Sequence, residues 1–186
     1  MREPEAKKLD PIFTDRWSPR AFKSEPLSPE EIEALFEAAK WAPSCFNEQP
    51  WFFKVATEPK THQKLLEVLV EGNQAWAKNA PVLIAVFSKR NFSKNDSTNR
   101  WAAFDTGAAW MSLNLQALKM GLYCHGMGGY DQEKAYTVCE VDPNEYESLC
   151  MIAVGKKDSP NALPEKLQQK EKPSERKPLK TVFEFL

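Results

Sequence analysis

The segment RWAAFDTGAAWMSLNLQALKMG, Arg100 to Gly121, constrains this chain more than any other stretch. Phe104, Ala108, Met111, Leu115 and Leu118 recur by fours and threes. That spacing lines apolar side chains along one face of a helix and predicts a packing seam that must be covered. Gly107, Ala108 and Ala109 are small enough to let another backbone approach closely on that side. Gly121 is a natural terminator, because glycine accepts the left-handed turn that ends helices.

The remaining elements can be read around that helix. SPEEIEALFEAAKWA carries a cap at Ser28, a proline at the first helical position and Glu31 to complete a capping box; Pro43 closes the element at Ala42. Trp51 to Thr57 and PVLIAVF, Pro81 to Phe87, are short apolar runs that predict strands covered on both faces. HQKLLEVLVEGNQAWA between them predicts one helix, with Gly72 and Asn73 marking its end. After the polar surface loop NFSKNDSTN and the long helix, LYCHGMGGY mixes a short strand with glycines. DQEKAYTVCE predicts a helix capped by Asp131, and SLCMIAVGKK a last strand. The alternation points to layered α/β packing in one domain spanning 1–186, with 157–186 as an extended arm. That arm is rich in proline and charge yet ends in TVFEFL, so its apolar end is expected to dock on a surface, for which a partner subunit is one candidate.

Composition excludes several classes. The chain has 186 residues, 42% of them hydrophobic, which suits a protein with a buried core. With 25 basic and 26 acidic residues the net charge is -1, so no global field argues for nucleic acid or a membrane surface. Four cysteines without a C-x-x-C pair and two distant histidines are poor material for a metal site. The opening MREPEAKKLDPIF has no apolar signal core and no run is long enough to span a bilayer, so a reducing cytoplasm is the expected compartment, with free thiols.

Several short constellations carry chemistry, each with a plainer alternative. In RWSPRAF, Arg16, Ser18 and Arg20 alternate, so an extended backbone would present two guanidiniums and a hydroxyl on one face. That is good equipment for a phosphate, and equally the pattern of a solvated basic patch. In WAPSCFNEQPWFF, the carboxamides Asn47 and Gln49 beside Ser44 could read the edge of a heterocycle, or could simply be turn chemistry. Cys45 lacks a local histidine and reads as a small buried hydrophobe. GMGGY lets backbone N–H groups come close to a ligand, or is only a flexible turn. His125 is a potential proton donor, or a structural residue at a strand end. PSERKPL brings Ser174, Arg176 and Lys177 together, which in isolation reads as a solvated face.

Taken in order, these pieces resemble something specific. RWSPRAF, a capped helix, APSCFNEQPWFF, NQAW with APVLIAV, DTGAAWMSLNLQALKMGL, GMGGY and PSERKPL are together similar to the FMN-dependent nitroreductase family across nearly the whole chain. The resemblance implies an α+β fold of three α/β/α layers, with a central, mostly antiparallel sheet. It also implies a homodimer that exchanges terminal segments and binds FMN at its interface.

Residue by residue, the resemblance implies that Arg16, Ser18 and Arg176, with the neighbouring Trp17 and Ser174, hold the FMN phosphate end, while Arg20 reaches the pyrimidine edge of the ring. Ser44, Asn47 and Gln49 would contact the flavin from the other subunit, and Asn73 would join the site. Met127, Gly128 and Gly129 would pass its reactive edge, a backbone N–H supplying the donor there. Many relatives carry an acidic residue where this chain has Gly128. No catalytic side chain is implied, because the flavin carries the chemistry. The expected activity is ping-pong transfer from NADH or NADPH to nitroaromatic or quinone-type acceptors. A specialised flavin enzyme of the same fold, such as a dehalogenase-like one, and a non-catalytic flavin-binding dimer are the alternatives.

Overall fold

The computed structural model describes residues 4–186; the first three residues of the opening read for an export signal lie outside it. Its helices are α1 (Ile12–Asp15), α2 (Pro29–Lys40), α3 (Pro59–Leu66), α4 (Glu71–Ala77), α5 (Ala102–Lys119), α6 (Gln132–Cys139) and α7 (Glu165–Gln168). The strands β1 (Trp51–Ala56), β2 (Val82–Lys89), β3 (Tyr123–Met127) and β4 (Tyr146–Gly155) form one sheet in the order β1-β2-β4-β3, every pair antiparallel. β2 is central and buried from Val82 to Ser88, as its unbroken apolar run requires. Strand alternation sends Leu83, Ala85 and Phe87 into one core and Val82, Ile84 and Val86 into the other. The first core is closed by α3, α4 and α6 through Leu65, Trp76 and Ala135, the second by α2 and α5 through Leu35, Ala39 and Leu113. Helix, sheet and helix layers are the architecture the motifs implied.

Local chemistry sets the element ends. Ser28 Oγ accepts from Glu31 N–H at 3.2 Å and Glu31 Oε2 accepts from Ser28 N–H at 2.7 Å, the reciprocal capping box read from sequence. α5 stops at Met120, and Gly121 follows with φ 75°, where a side chain would be strained. Asp131 caps α6 by accepting Lys134 N–H.

Three expectations are corrected. The buried stripe of α5 is Ala102, Asp105, Ala109, Leu113 and Ala117, whereas Phe104 is 75% exposed and Ala108, Met111, Leu115 and Leu118 are half-buried. Small residues let α5 lie close to α2 and the sheet, so the larger apolar ones turn outward. Only Ala109 of the small trio is buried, and nothing lies within 4 Å of where a Gly107 Cβ would stand. The single helix expected between β1 and β2 is two: Val70 N–H donates to Gly129 O at 3.1 Å and Asp131 N–H to Val68 O at 2.9 Å. Those contacts open the chain between Leu66 and Glu71, and Gly72 and Asn73 fall inside α4 rather than at a helix end. β1 is an edge strand with Phe52 and Val55 exposed, not a strand covered on both faces. At the end of the arm, Val182, Phe183, Phe185 and Leu186 are all exposed within the single chain.

Candidate functional site

Three groups of predicted residues are held by three different devices. The first is the extended segment after α1, where Arg16 leaves the helix with φ -68° and ψ 121°. Arg16, Ser18 and Arg20 are all half-buried. The Trp17 indole packs edge-on to Tyr123, the centroids 6.5 Å apart, with Lys157 Nζ over both rings. Pro19 O accepts a hydrogen bond from His125 Nδ1 at 2.9 Å, and because a carbonyl can only accept, that nitrogen carries the proton. Glu171 Oε1 accepts from both Arg20 N–H and Ala21 N–H, at 2.8 and 2.9 Å. The segment is thus pinned from β3 on one side and from the C-terminal arm on the other.

The arm returns the second basic group. A cleft of about 1170 Å³ lies between the N-terminal and C-terminal segments, and Phe13, Thr14, Ser174 and Arg176 are among its walls. Arg176 is exposed and its Nη1 donates to Ser174 O and Glu175 O. Burial holds the Arg16 guanidinium below its ordinary value, and the charge of Arg176 adds to that. Guanidiniums from opposite ends of the chain are thus near enough for the charge of one to act on the other. A second hollow of about 650 Å³, on the outer face of α2 beside Glu30, Glu33 and Lys40, contains none of the predicted residues.

The second group surrounds the glycines after β3. Gly129 O accepts both Asn73 Nδ2–H at 3.0 Å and Val70 N–H at 3.1 Å. A Cβ at Gly129 would stand 3.0 Å from Asn73 Nδ2 and from Val70 Cγ2, so the close approach needs glycine. At Gly128 nothing lies within 4 Å of that position, and the residue is exposed; Met127 before it is buried. One turn along α4 from Asn73, Trp76 packs against His125 with centroids 4.6 Å apart, so α4 joins this group to the first.

The third group is the loop between α2 and β1. Phe46, Asn47 and Gln49 have φ of 54°, 58° and 52°, left-handed values that non-glycine residues rarely adopt together. Ser44 Oγ accepts Gln49 N–H at 3.0 Å, Gln49 Nε2 donates to Asn47 O at 3.1 Å, and Asp105 Oδ2 accepts Cys45 N–H at 2.9 Å. Phe46 is 90% exposed, with only Phe92 edge-on at 6.0 Å. Cys45 is half-buried rather than a core residue, because its backbone is drawn to Asp105.

This loop leads into the end of the sheet where Trp51 pairs with Ser88 and Ser88 with Glu147. The arginine segment lies beside the opposite end, where Phe22 bridges Lys157 and Tyr123 pairs with Gly155. The strand rise puts roughly 25 Å between those ends. Within one chain the structure brings the first two groups together and keeps Ser44, Asn47 and Gln49 apart from them.

Three of the thiols are poor nucleophiles: burial pushes Cys124 far up and raises Cys139 and Cys150 to about 11. His125 is lowered, first by burial and further by Arg20, against the opposing pulls of Pro19 O and Glu171. Asp105 and Glu171 were not foreseen. Asp105 could have been found as the acid on the Asp105, Ala109, Leu113, Ala117 stripe, but Glu171 carries no signal among the charges of the arm. Among the described residues no helix is long and apolar enough to cross a membrane, and no cluster of His, Cys, Asp or Glu could hold a metal ion.

Comparison with known proteins places this geometry. The family model described as Nitroreductase family matches residues 13–75 and 68–156. A protein of Archaeoglobus fulgidus, provisionally named an NADH dehydrogenase/NAD(P)H nitroreductase, is 32% identical over 126 residues, 68% of this chain and 70% of the relative. A crystal structure of an oxidoreductase containing FMN superposes with a TM-score of 0.93 at 38% identity, over 98% of this chain and 93% of its own. A nitroreductase family protein from Streptococcus pneumoniae TIGR4 shares the fold, with a TM-score of 0.76 at 22% identity over 94% of this chain and 98% of its own.

Proposed function

The chain belongs to the Nitroreductase family, and from that premise we propose that it works as a homodimer, passing electrons from NADH or NADPH to nitroaromatic or quinone-type acceptors in ping-pong fashion. It is an FMN-dependent NAD(P)H oxidoreductase. FMN, when bound, would supply the redox chemistry between nicotinamide and acceptor, and the residues of this chain would bind and orient it.

The observation that carries this reading is the convergence of Arg16 and Arg176. Their mutual repulsion is a cost in the protein alone and becomes a gain once a phosphate dianion sits between them. Ser18 and Ser174 would add short hydroxyl donors to the phosphate. Arg20 would favour the negative charge that the ring system gains on reduction. Asn73, Met127, Gly128 and Gly129 would border the ring. Gly128, bare and exposed, leaves that border unobstructed and a backbone N–H as the available donor.

Distance argues for the dimer. A flavin contacted by both Arg20 and Asn47 needs those residues far closer than opposite ends of one sheet allow, so Ser44, Asn47 and Gln49 would serve the partner's site. The exposed outer face of α5 and the apolar end of the arm are surfaces for the same partner. The test is flavin absorbance in the purified protein, followed by stopped-flow reduction with each nicotinamide. Bleaching by NADH or NADPH and recovery with a quinone are expected; a colourless protein that refuses added FMN would sink the reading.

A further inference from the structure

The side chain that ties the C-terminal arm to the segment after Arg16 is Glu171. Its Oε1 accepts two successive backbone N–H groups, Arg20 at 2.8 Å and Ala21 at 2.9 Å, in a partly buried setting where charge-assisted bonds are strong. It is also the last half-buried side chain of the arm, for every residue from Lys172 to Leu186 is exposed. The sequence EKPSER leads from it to Arg176 through Pro173, whose ring fixes one backbone angle and so limits the conformations of the intervening chain. Glu171 Oε2 is buried without a hydrogen-bond partner, so the carboxylate bears an uncompensated desolvation to make this contact.

We propose that Glu171 is a positioning residue which fastens the C-terminal arm to the Arg16–Ala21 segment, so that Arg176 meets Arg16 at the phosphate. The inference rests on the phosphate assignment made above. Without the fastening, Arg176 keeps the tie beyond it, Leu179 N–H to Glu5 Oε1 at 2.7 Å, but loses the one before it and must be ordered further by each incoming flavin, which weakens binding through the entropy of that ordering. Glu171 also holds the backbone of Arg20, whose side chain is assigned to the ring, but Arg20 stays pinned beside Pro19 by His125, so the loss at the ring should be smaller than the loss at the phosphate. Selectivity for the phosphorylated flavin over the unphosphorylated one is therefore the quantity Glu171 controls.

The experiment measures dissociation constants of FMN and of riboflavin for the flavin-stripped full chain carrying Glu171→Ala, Glu171→Gln or Glu171→Asp. Glu171→Ala should weaken FMN by roughly tenfold and riboflavin by less than about twofold. Glu171→Gln keeps an oxygen that can accept both N–H groups and should stay within roughly threefold of the parent for FMN. Glu171→Asp keeps the charge on a shorter side chain and should lose FMN selectively, to a smaller extent than alanine. It also covers the case in which the alanine variant fails to fold. Equal weakening of both flavins, or none, overturns the proposal. Arg16→Ala and Arg176→Ala run alongside: if they spare the FMN-to-riboflavin ratio, the phosphate assignment itself fails. If they destroy the ratio while the Glu171 variants do not, only the role of Glu171 fails.

Discussion

In the homodimer proposed above, replacing Phe104 with alanine should separate the subunits while leaving each one folded. The side chain is 75% exposed on the outer face of α5, with Trp101, 43% exposed, edge-on at 6.5 Å. Burying an aromatic side chain removes about 150–250 Å² from water, so three quarters of it is roughly 110–190 Å². At about 25 cal/mol per Å² that is roughly 3–5 kcal/mol, an upper bound because association converts area to affinity inefficiently. A realised loss of about 1–3 kcal/mol per subunit, counted twice across a twofold axis, gives about 2–6 kcal/mol per dimer. The dimer dissociation constant should then rise roughly 30-fold to 10⁴-fold. Light scattering across a dilution series reads this directly, and flavin content in the same samples should fall as dimers are lost. The stability of the separated subunit should hardly change, because an exposed side chain gives up little. If the variant keeps a dissociation constant within about threefold of the parent, the outer seam of α5 is not the subunit interface.

Three further outcomes test the site's supports. Asp105→Ala removes the acceptor that holds Cys45 N–H beneath the strained loop, and should cost about 1.5–3 kcal/mol in urea denaturation, with flavin affinity falling as well; Asp105→Asn, which keeps an oxygen, should recover most of both. Gly128→Ala should leave the melting temperature within about 1 °C of the parent, since its Cβ meets nothing, whereas Gly129→Ala drives a methyl against Asn73 and Val70 and should cost about 1–3 kcal/mol. His125 gives the pH dependence. Burial holds it below its ordinary 6.5, so the unfolded chain binds more protons just under that value. Its contribution is whole above about pH 6.5 and is lost as pH falls through that value toward the lowered folded one. Melting temperatures between about pH 7.5 and 5.5 should accordingly drop less for His125→Asn than for the parent. An equal drop would remove His125 as the cause.

Local rules were legible in the sequence wherever local chemistry decides. The Ser28 to Glu31 capping box, the left-handed Gly121 and the buried run of β2 depend on a few adjacent residues, and each stands in the structure as read. The α5 seam misled because periodicity reports that a face is apolar, not which layer covers it. Phe104, Met111 and Leu115 are the bulkier set, but the tighter contact with α2 and the sheet goes to Ala109, Leu113 and Ala117. The break between α3 and α4 was invisible for another reason. It is made by hydrogen bonds to Gly129 and Asp131, partners that lie far along the chain. The arginine motifs were visible as motifs, but the fastening carboxylate was not, since Glu171 is one acid among many charges until the fold brings it to Arg20 N–H.

The strained loop and the sheet length bear on each other. A loop serving its own chain could relax its backbone around whatever it binds, and three left-handed residues at Phe46, Asn47 and Gln49 would be a needless cost of about 1–3 kcal/mol each. Here the loop is braced from beneath by Asp105 and tied internally through Ser44 Oγ. Asn47, Gln49 and Phe46 therefore stand exposed in a fixed arrangement before any second chain arrives. Bracing of that kind lowers the entropy lost on association, the one place where a site split between two chains is at a disadvantage to a site within one. The strain in the loop and the roughly 25 Å of sheet that separates it from Arg16 would then have one explanation under the proposed homodimer: each chain would present a preformed half of a flavin site for its twin to complete.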